Sequence, residues 1–198
     1  TYNDVSILIS SRRAIIHRIT AYLECMTIEE KGKPVSDADR QMLNARVEQA
    51  GELFGSGYNC SQSVVAAFAD LYGFTREQSL RMAASFGGGI GRMRMTCGAA
   101  CGMFLLAGLE TGATEGDDRA GKSANYKVVQ ALAEKFREEN GSLICAELLG
   151  LKPKEQQAET AEASERTSAY YAKRPCVKMV ETAARIFAAF LEEQRGAV

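Results

Sequence analysis

Apolar positions recur three and four residues apart along nearly the whole chain, the spacing of amphipathic helices. Leu8, Ile15, Ile19, Tyr22, Leu23 and Met26 trace a first stripe, which Gly32, Lys33 and Pro34 end. Ser36 or Asp37 caps a second helix reaching Gly55, with Met42, Leu43, Val47, Ala50 and Phe54 on one side. Asn59 caps a third from Cys60 to Leu71, Gly73 stops it, and Thr75 starts a short fourth to about Ser85. Thr96 caps a fifth from Cys97 to about Glu110, and acidic Thr111–Asp118 forms a loop. A long helix then ends at Asn140-Gly141. Ser142 caps a short helix through Cys145 to Leu149, and Pro175 opens the last one, from Cys176 to about Gln194. Charged, Ala-rich Lys152–Ser168 reads as an exposed helix or a connection. No strand alternation and no repeat interrupts this pattern. The expected fold is all-α, a compact multi-helix bundle with residues 1–44 as a helical extension and 45–198 as the core domain.

Charge narrows the partners. Lys and Arg number 24 against 25 Asp and Glu, a net charge of −1, which leaves no footprint for nucleic acid and no polybasic run for an anionic membrane. The longest apolar stretch, Cys97–Leu109, contains three glycines and falls short of the roughly 20 residues a bilayer requires. No charged-then-apolar signal segment opens the chain, and a cytoplasmic setting is expected. The six cysteines would permit three disulfides, but a chain with 46% hydrophobic residues can build a core without staples. Cysteine here points to a ligand or a reactive thiol.

The positions of the cysteines sharpen that expectation. Cys60, Cys97, Cys145 and Cys176 all fall at or near expected helix N-termini, where unpaired N–H groups and the helix dipole favour a thiolate. Arg92 and Arg94 before Cys97, and Arg174 and Lys178 beside Cys176, push the same way. Cys25, late in the first helix, reads as a packed residue. Cys101 shares a face with Cys97 one turn on.

Gly57-Tyr58-Asn59-Cys60-Ser61-Gln62-Ser63, Phe86-Gly87-Gly88-Gly89-Ile90-Gly91, Cys97-Gly98-Ala99-Ala100-Cys101-Gly102, the single Cys145 and Arg174-Pro175-Cys176 together resemble the C_GCAxxG_C_C family of redox-active proteins. The resemblance spans roughly residues 45–185, with Thr96-Cys97-Gly98 in place of the name's Gly-Cys-Ala order. It implies a redox role and four family cysteines, which map onto Cys60, Cys97, Cys145 and Cys176. Split-Soret cytochromes are similar and carry an iron–sulfur centre besides haem. No Cys-x-x-Cys-His run is present and His17 is the only histidine, so no haem is expected.

Three chemistries suit four such thiols. The leading expectation is an iron–sulfur cluster held by the four cysteines, with Arg92, Arg94 and Gly98 around it and electrons passed to a redox partner protein. A metal-free dithiol–disulfide couple is the second, with Cys97 as the attacking thiolate. A structural zinc is the third, although its usual short ligand spacings are missing. A helical interaction module with packed cysteines is the non-catalytic alternative. Gly116 to Ser123 spells the phosphate-loop pattern, but no strand precedes it. Gly87–Gly91 is expected to let backbone pass close to Cys97 or another helix. His17, among Arg12, Arg13 and Arg18, reads as a surface or interface residue. The first helix could pair with a second subunit to make a homodimer.

Overall fold

The computed structural model describes residues 35–152, 161–172 and 174–196. The first expected helix, with His17 and Cys25, lies outside the described residues. Within them the fold is all-α, with eight helices packed together and no strand. Helix α1 (Asp37–Gly55) begins at Ser36, whose hydroxyl accepts from the Asp39 amide while the Asp39 carboxylate accepts from the Ser36 amide. This reciprocal cap satisfies two otherwise orphaned donors. Leu43, Ala50 and Phe54 bury one side of α1, and the boundary expected at residue 45 falls inside this helix.

The helix expected over Cys60–Leu71 is divided. Helix α2 (Cys60–Ala66) gives way to a 3₁₀ turn at Ala69–Tyr72. The Ala67 carbonyl accepts from Arg46 Nη1 at 2.7 Å, a contact the periodicity could not reveal, and the chain turns there. Helix α3 (Arg76–Ala83) is capped by Thr75 and tightens into a 3₁₀ turn at Ala84–Phe86. Helices α4 (Gly98–Thr111) and α5 (Arg119–Asn140) follow, then the single turn α6 (Cys145–Leu148), the short α7 (Ser168–Ala172) and α8 (Cys176–Gly196). Helix α7 was not expected. Its Tyr171 ring meets Phe54 edge-on at 5.7 Å, and its hydroxyl donates towards the last carbonyls of α1.

Helix α8 forms the central post, packed against α1, α2, α4 and α5. Val180, Ala183, Ala184 and Phe187 on it are fully buried, and Phe187 meets Phe68 edge-on at 5.2 Å. The Ala and Gly content of α4 and α8 allows close helix approach; Gly102 of α4 has room for no Cβ beyond 3.0 Å from Ser61 O and Val64 Cβ of α2. No helix among the described residues is long and apolar enough to cross a membrane.

The phosphate-loop look-alike is a helix start. Asp118 accepts from the Gly121 amide at 2.8 Å and caps α5, and Lys122 Nζ donates to the Gly116 carbonyl. The acceptor and the lysine are thus committed to the loop itself.

Candidate functional site: a pocket lined by four cysteines

One end of the bundle holds a pocket of about 490 Å³, and Cys60, Cys97, Cys145 and Cys176 all line it. Four separate chain segments deliver them. Cys60 is the first residue of α2, behind Asn59, which exchanges bonds with Gln62 in a capping box. The Asn59 side-chain Nδ2 also donates to Ala84 O at 2.9 Å, fixing the helix start to the end of α3. Cys97 is itself the cap position of α4. The helix begins one residue later than expected because Thr96 is drawn into an antiparallel bridge with Ile144. Cys145 and Cys176 open α6 and α8.

The bridge explains how Cys97 meets Cys145, which lies 48 residues on in the sequence. The Cys97 amide donates to Leu143 O at 2.7 Å, and the Cys145 amide to Met95 O at 2.6 Å. Ahead of it, the chain from Gly88 to Arg92 is left-handed throughout, with Ile90, Arg92 and Arg94 at φ of 58°, 66° and 60°. A branched residue such as Ile90 pays steric strain there, of order 1–3 kcal/mol. The loop's amides hold that shape by reaching back to Ser85, Phe86, Gly87, Gly88 and Gly89. Two glycines are required for the approach. A Cβ on Gly89, at φ 74°, would sit 2.6 Å from Cys145 Cβ, and one on Gly98 would sit 2.7 Å from Phe86 O and 3.3 Å from Cys60 Cβ. The glycine run therefore passes Cys145 rather than Cys97, and Gly98 lets the start of α4 close on Cys60.

The four thiols differ in character. Cys60 and Cys176 are partly accessible, whereas Cys97 and Cys145 are buried. Interaction with the Cys176 side chain raises Cys60 well above the ordinary thiol value, with burial and the charges of Cys176, Cys97 and Cys145 adding to it. Cys176 moves the other way, down to about 7. Interaction with the Cys60 side chain is the largest cause, burial opposes it, and Arg174, Arg166 and Arg94 add their positive charge. Cys97 is pushed up to about 12 by burial, which outweighs the pull of the Ala99 and Ala100 amides. Burial also raises Cys145, against the charge and hydrogen bond of Arg94.

Burial thus works against Cys97 as the attacking thiolate. Its helix start is real, but desolvation of the charged form exceeds what two amides return. Arg94 acts on Cys145 and Cys176 instead of Cys97. Arg92 lines the same pocket and donates to the Glu162 carbonyl and, at 3.1 Å, to Ser164 Oγ. It thereby ties residues 161–164 over the pocket, where Ala161, Ala163 and Ser164 form part of the wall. Cys101 stands behind the site, buried, its Sγ 3.9 Å from Thr96 O, and burial pushes it up to about 11.

Sequence reasoning missed Arg166 and Tyr170. Arg166 lines the pocket, donates to Tyr170 Oη at 2.9 Å and lies over the Phe54 and Tyr170 rings. It sits in a charged segment whose composition resembles any solvated surface. Only its distance of ten residues from Cys176 hinted at a role.

Among the described residues, no group of three or more His, Cys, Asp or Glu side chains is arranged to hold a metal ion. Four thiols around one pocket do supply the donor set of an iron–sulfur cluster.

Residues 58–190, more than half of the chain, match the family model described as "Putative redox-active protein (C_GCAxxG_C_C)". The chain belongs to the C_GCAxxG_C_C family. The match takes in all four pocket cysteines, the glycine loop and α8 as far as Phe190. Neither a curated protein nor a solved structure matches this family member.

Proposed function

We propose that this C_GCAxxG_C_C protein is a dithiol–disulfide redox protein working through Cys176 and Cys60. The observation that carries this reading is the placing of two partly accessible cysteines, each the first residue of its helix, at one pocket, with Cys176 lowered to about 7 and Cys60 raised by their mutual interaction. They lie at the starts of two different helices, in a pocket reached from solvent. A thiolate beside a protonated, accessible partner thiol is the arrangement of an attacking and a resolving cysteine. The Cys176 thiolate attacks a sulfur electrophile, and the Cys60 thiol, held against it, displaces the resulting mixed disulfide. Five described cysteines are free thiols, the reduced form that a cytoplasmic setting would maintain.

Equilibration in dithiothreitol buffers of stepped potential, followed by intact-mass measurement, tests the couple. The expected result is a two-electron transition with loss of two hydrogens, abolished in Cys60→Ser and in Cys176→Ser. A transition unchanged in both variants would assign the redox chemistry elsewhere.

A second reading is favoured by Cys97 and Cys145, which share the pocket but have no part in the pair. Cys60, Cys97, Cys145 and Cys176 would then hold an iron–sulfur cluster, which supplies one-electron transfer when bound. Arg94, Arg166 and Arg174 would offset its negative charge. Iron and acid-labile sulfide in protein purified without oxygen, both lost in Cys97→Ser, would favour this reading over the first.

A further inference from the structure

The pocket's charge is lopsided. Arg92, Arg94, Arg166 and Arg174 all line it, and among the described residues no Asp, Glu, Lys or His does. Six arginines elsewhere in the fold, Arg40, Arg46, Arg81, Arg137, Arg185 and Arg195, each meet a carboxylate, whereas Arg76 lies against Tyr58 instead. Among the described residues, Glu162 aside, no Asp or Glu forms a salt bridge with any of the four pocket arginines. Their contacts are instead with neutral oxygens, aromatic rings and the cysteines: Glu162 O and Ser164 for Arg92, Tyr170 for Arg166 and Arg174, Cys145 for Arg94. Arg92 Nε is buried with no hydrogen-bond partner among the described residues. Four half-buried guanidinium groups facing at most one thiolate leave a cationic cavity inside a chain whose net charge is −1. Such an excess in a walled site attracts anions far more than the same charges would in open water.

Resting on the Cys176–Cys60 reading, we propose that the substrate is a small, anionic, low-molecular-weight disulfide, held by its carboxylates on these arginines with its sulfur against Cys176. The volume of about 490 Å³ suits a small molecule. Guanidinium forks are matched to carboxylates through paired N–H bonds. The reaction balances without a further reagent. The Cys176 thiolate attacks one substrate sulfur, the substrate S–S bond breaks, and one thiolate leaves. The Cys60 thiol passes its proton to that departing thiolate and attacks Cys176 Sγ, and the second substrate thiolate leaves. The protein loses two electrons to form a Cys60–Cys176 disulfide, and the substrate leaves as one thiol and one thiolate.

Three disulfides that differ in charge test this: 3,3′-dithiodipropionate (dianion), 2-hydroxyethyl disulfide (neutral) and cystamine (dication). The rate of Cys60–Cys176 oxidation by the reduced full chain is followed by quenched intact mass at pH 7. The expected order is dianion, then neutral, then dication, with the first at least about tenfold faster than the last at low salt and the gap narrowing in 1 M salt. Arg174→Gln and Arg92→Gln should each lower the dianion-to-neutral ratio, a quantity from which the intrinsic reactivity of Cys176 cancels. Arg92→Lys should restore part of it. Equal rates for all three probes, or a ratio unmoved by either glutamine variant, would overturn the anionic substrate and leave the dithiol couple standing. No oxidation by any probe would overturn the couple itself.

Discussion

Cys176 owes its thiolate character first to Cys60, so removing that one sulfur has a calculable consequence. In the intact pocket Cys176 titrates at about 7, and half of it is thiolate at that pH. A hydrogen bond to a charged group is worth about 1.5 kcal/mol or more, which corresponds to about one pH unit. Cys60→Ala should therefore move the Cys176 midpoint up by about one pH unit, leaving about a tenth as thiolate at pH 7. Because the thiolate is the nucleophile, alkylation at pH 7 should slow by about fivefold, while the rates converge above about pH 9. The sign is fixed by the direction of the shift: a lowered thiol reacts at lower pH, and losing the cause moves the curve right. Iodoacetamide time courses from pH 5.5 to 10, read by peptide mapping of the Cys176 peptide, measure it. A midpoint that stays put in Cys60→Ala, or moves down, would refute the thiol–thiolate interaction. A native midpoint near the ordinary thiol value of 9.0 would refute the thiolate itself.

Gly89→Ala should destabilise the protein by about 2 kcal/mol or more, because strain at φ 74° adds to a clash with Cys145. Gly91→Ala, also at positive φ but facing open space, should cost only about 1 kcal/mol; equal losses in urea unfolding would contradict the close-approach account. Phe187→Ala, emptying a fully buried site beside Phe68, should cost about 3–5 kcal/mol; a loss below about 1 kcal/mol would mean α8 is not the core post. Asp70 is held below its ordinary value of 3.8, chiefly by its hydrogen bond to Arg46. Its contribution to stability is present above about pH 4 and fades as pH falls through the lower folded value. Thermal melts of native and Asp70→Asn protein should therefore converge as the pH drops towards 3, and a gap that widens on acidification would reverse the assignment.

The helix pattern was readable because each start carries its own chemistry. Ser36, Asn59 and Thr75 all accept from the amide three residues on, and Gly141 closes α5 in the left-handed region. These are local contacts, and local sequence contains them. The failures came where distant chain intervened. Arg46 takes the Ala67 carbonyl from 21 residues away, and Ile144 claims Thr96 before it can cap α4. Tyr171 recruits the end of α1 to make α7 worth forming. The same division runs through the site. Helix starts placed four cysteines at the right positions on their elements, but their relative reactivity depends on burial and on neighbours from other segments. Cys97, with two arginines in its own sequence, lies buried. Cys176 gains Arg166 and Arg94 through the fold. Arg166 had no motif to mark it, since its partners Tyr58 and Phe54 lie more than 100 residues earlier.

The account stands most directly on which two sulfurs join. Reduced protein treated with one equivalent of a two-electron thiol oxidant, trapped with an alkylating agent and digested without reductant, gives that answer by peptide mass. The account predicts a single dominant linked pair, the Cys60 peptide with the Cys176 peptide, with Cys97, Cys101 and Cys145 recovered alkylated. Linkage of Cys97 to Cys145, or a scatter of pairings with Cys60 and Cys176 still free, would contradict it.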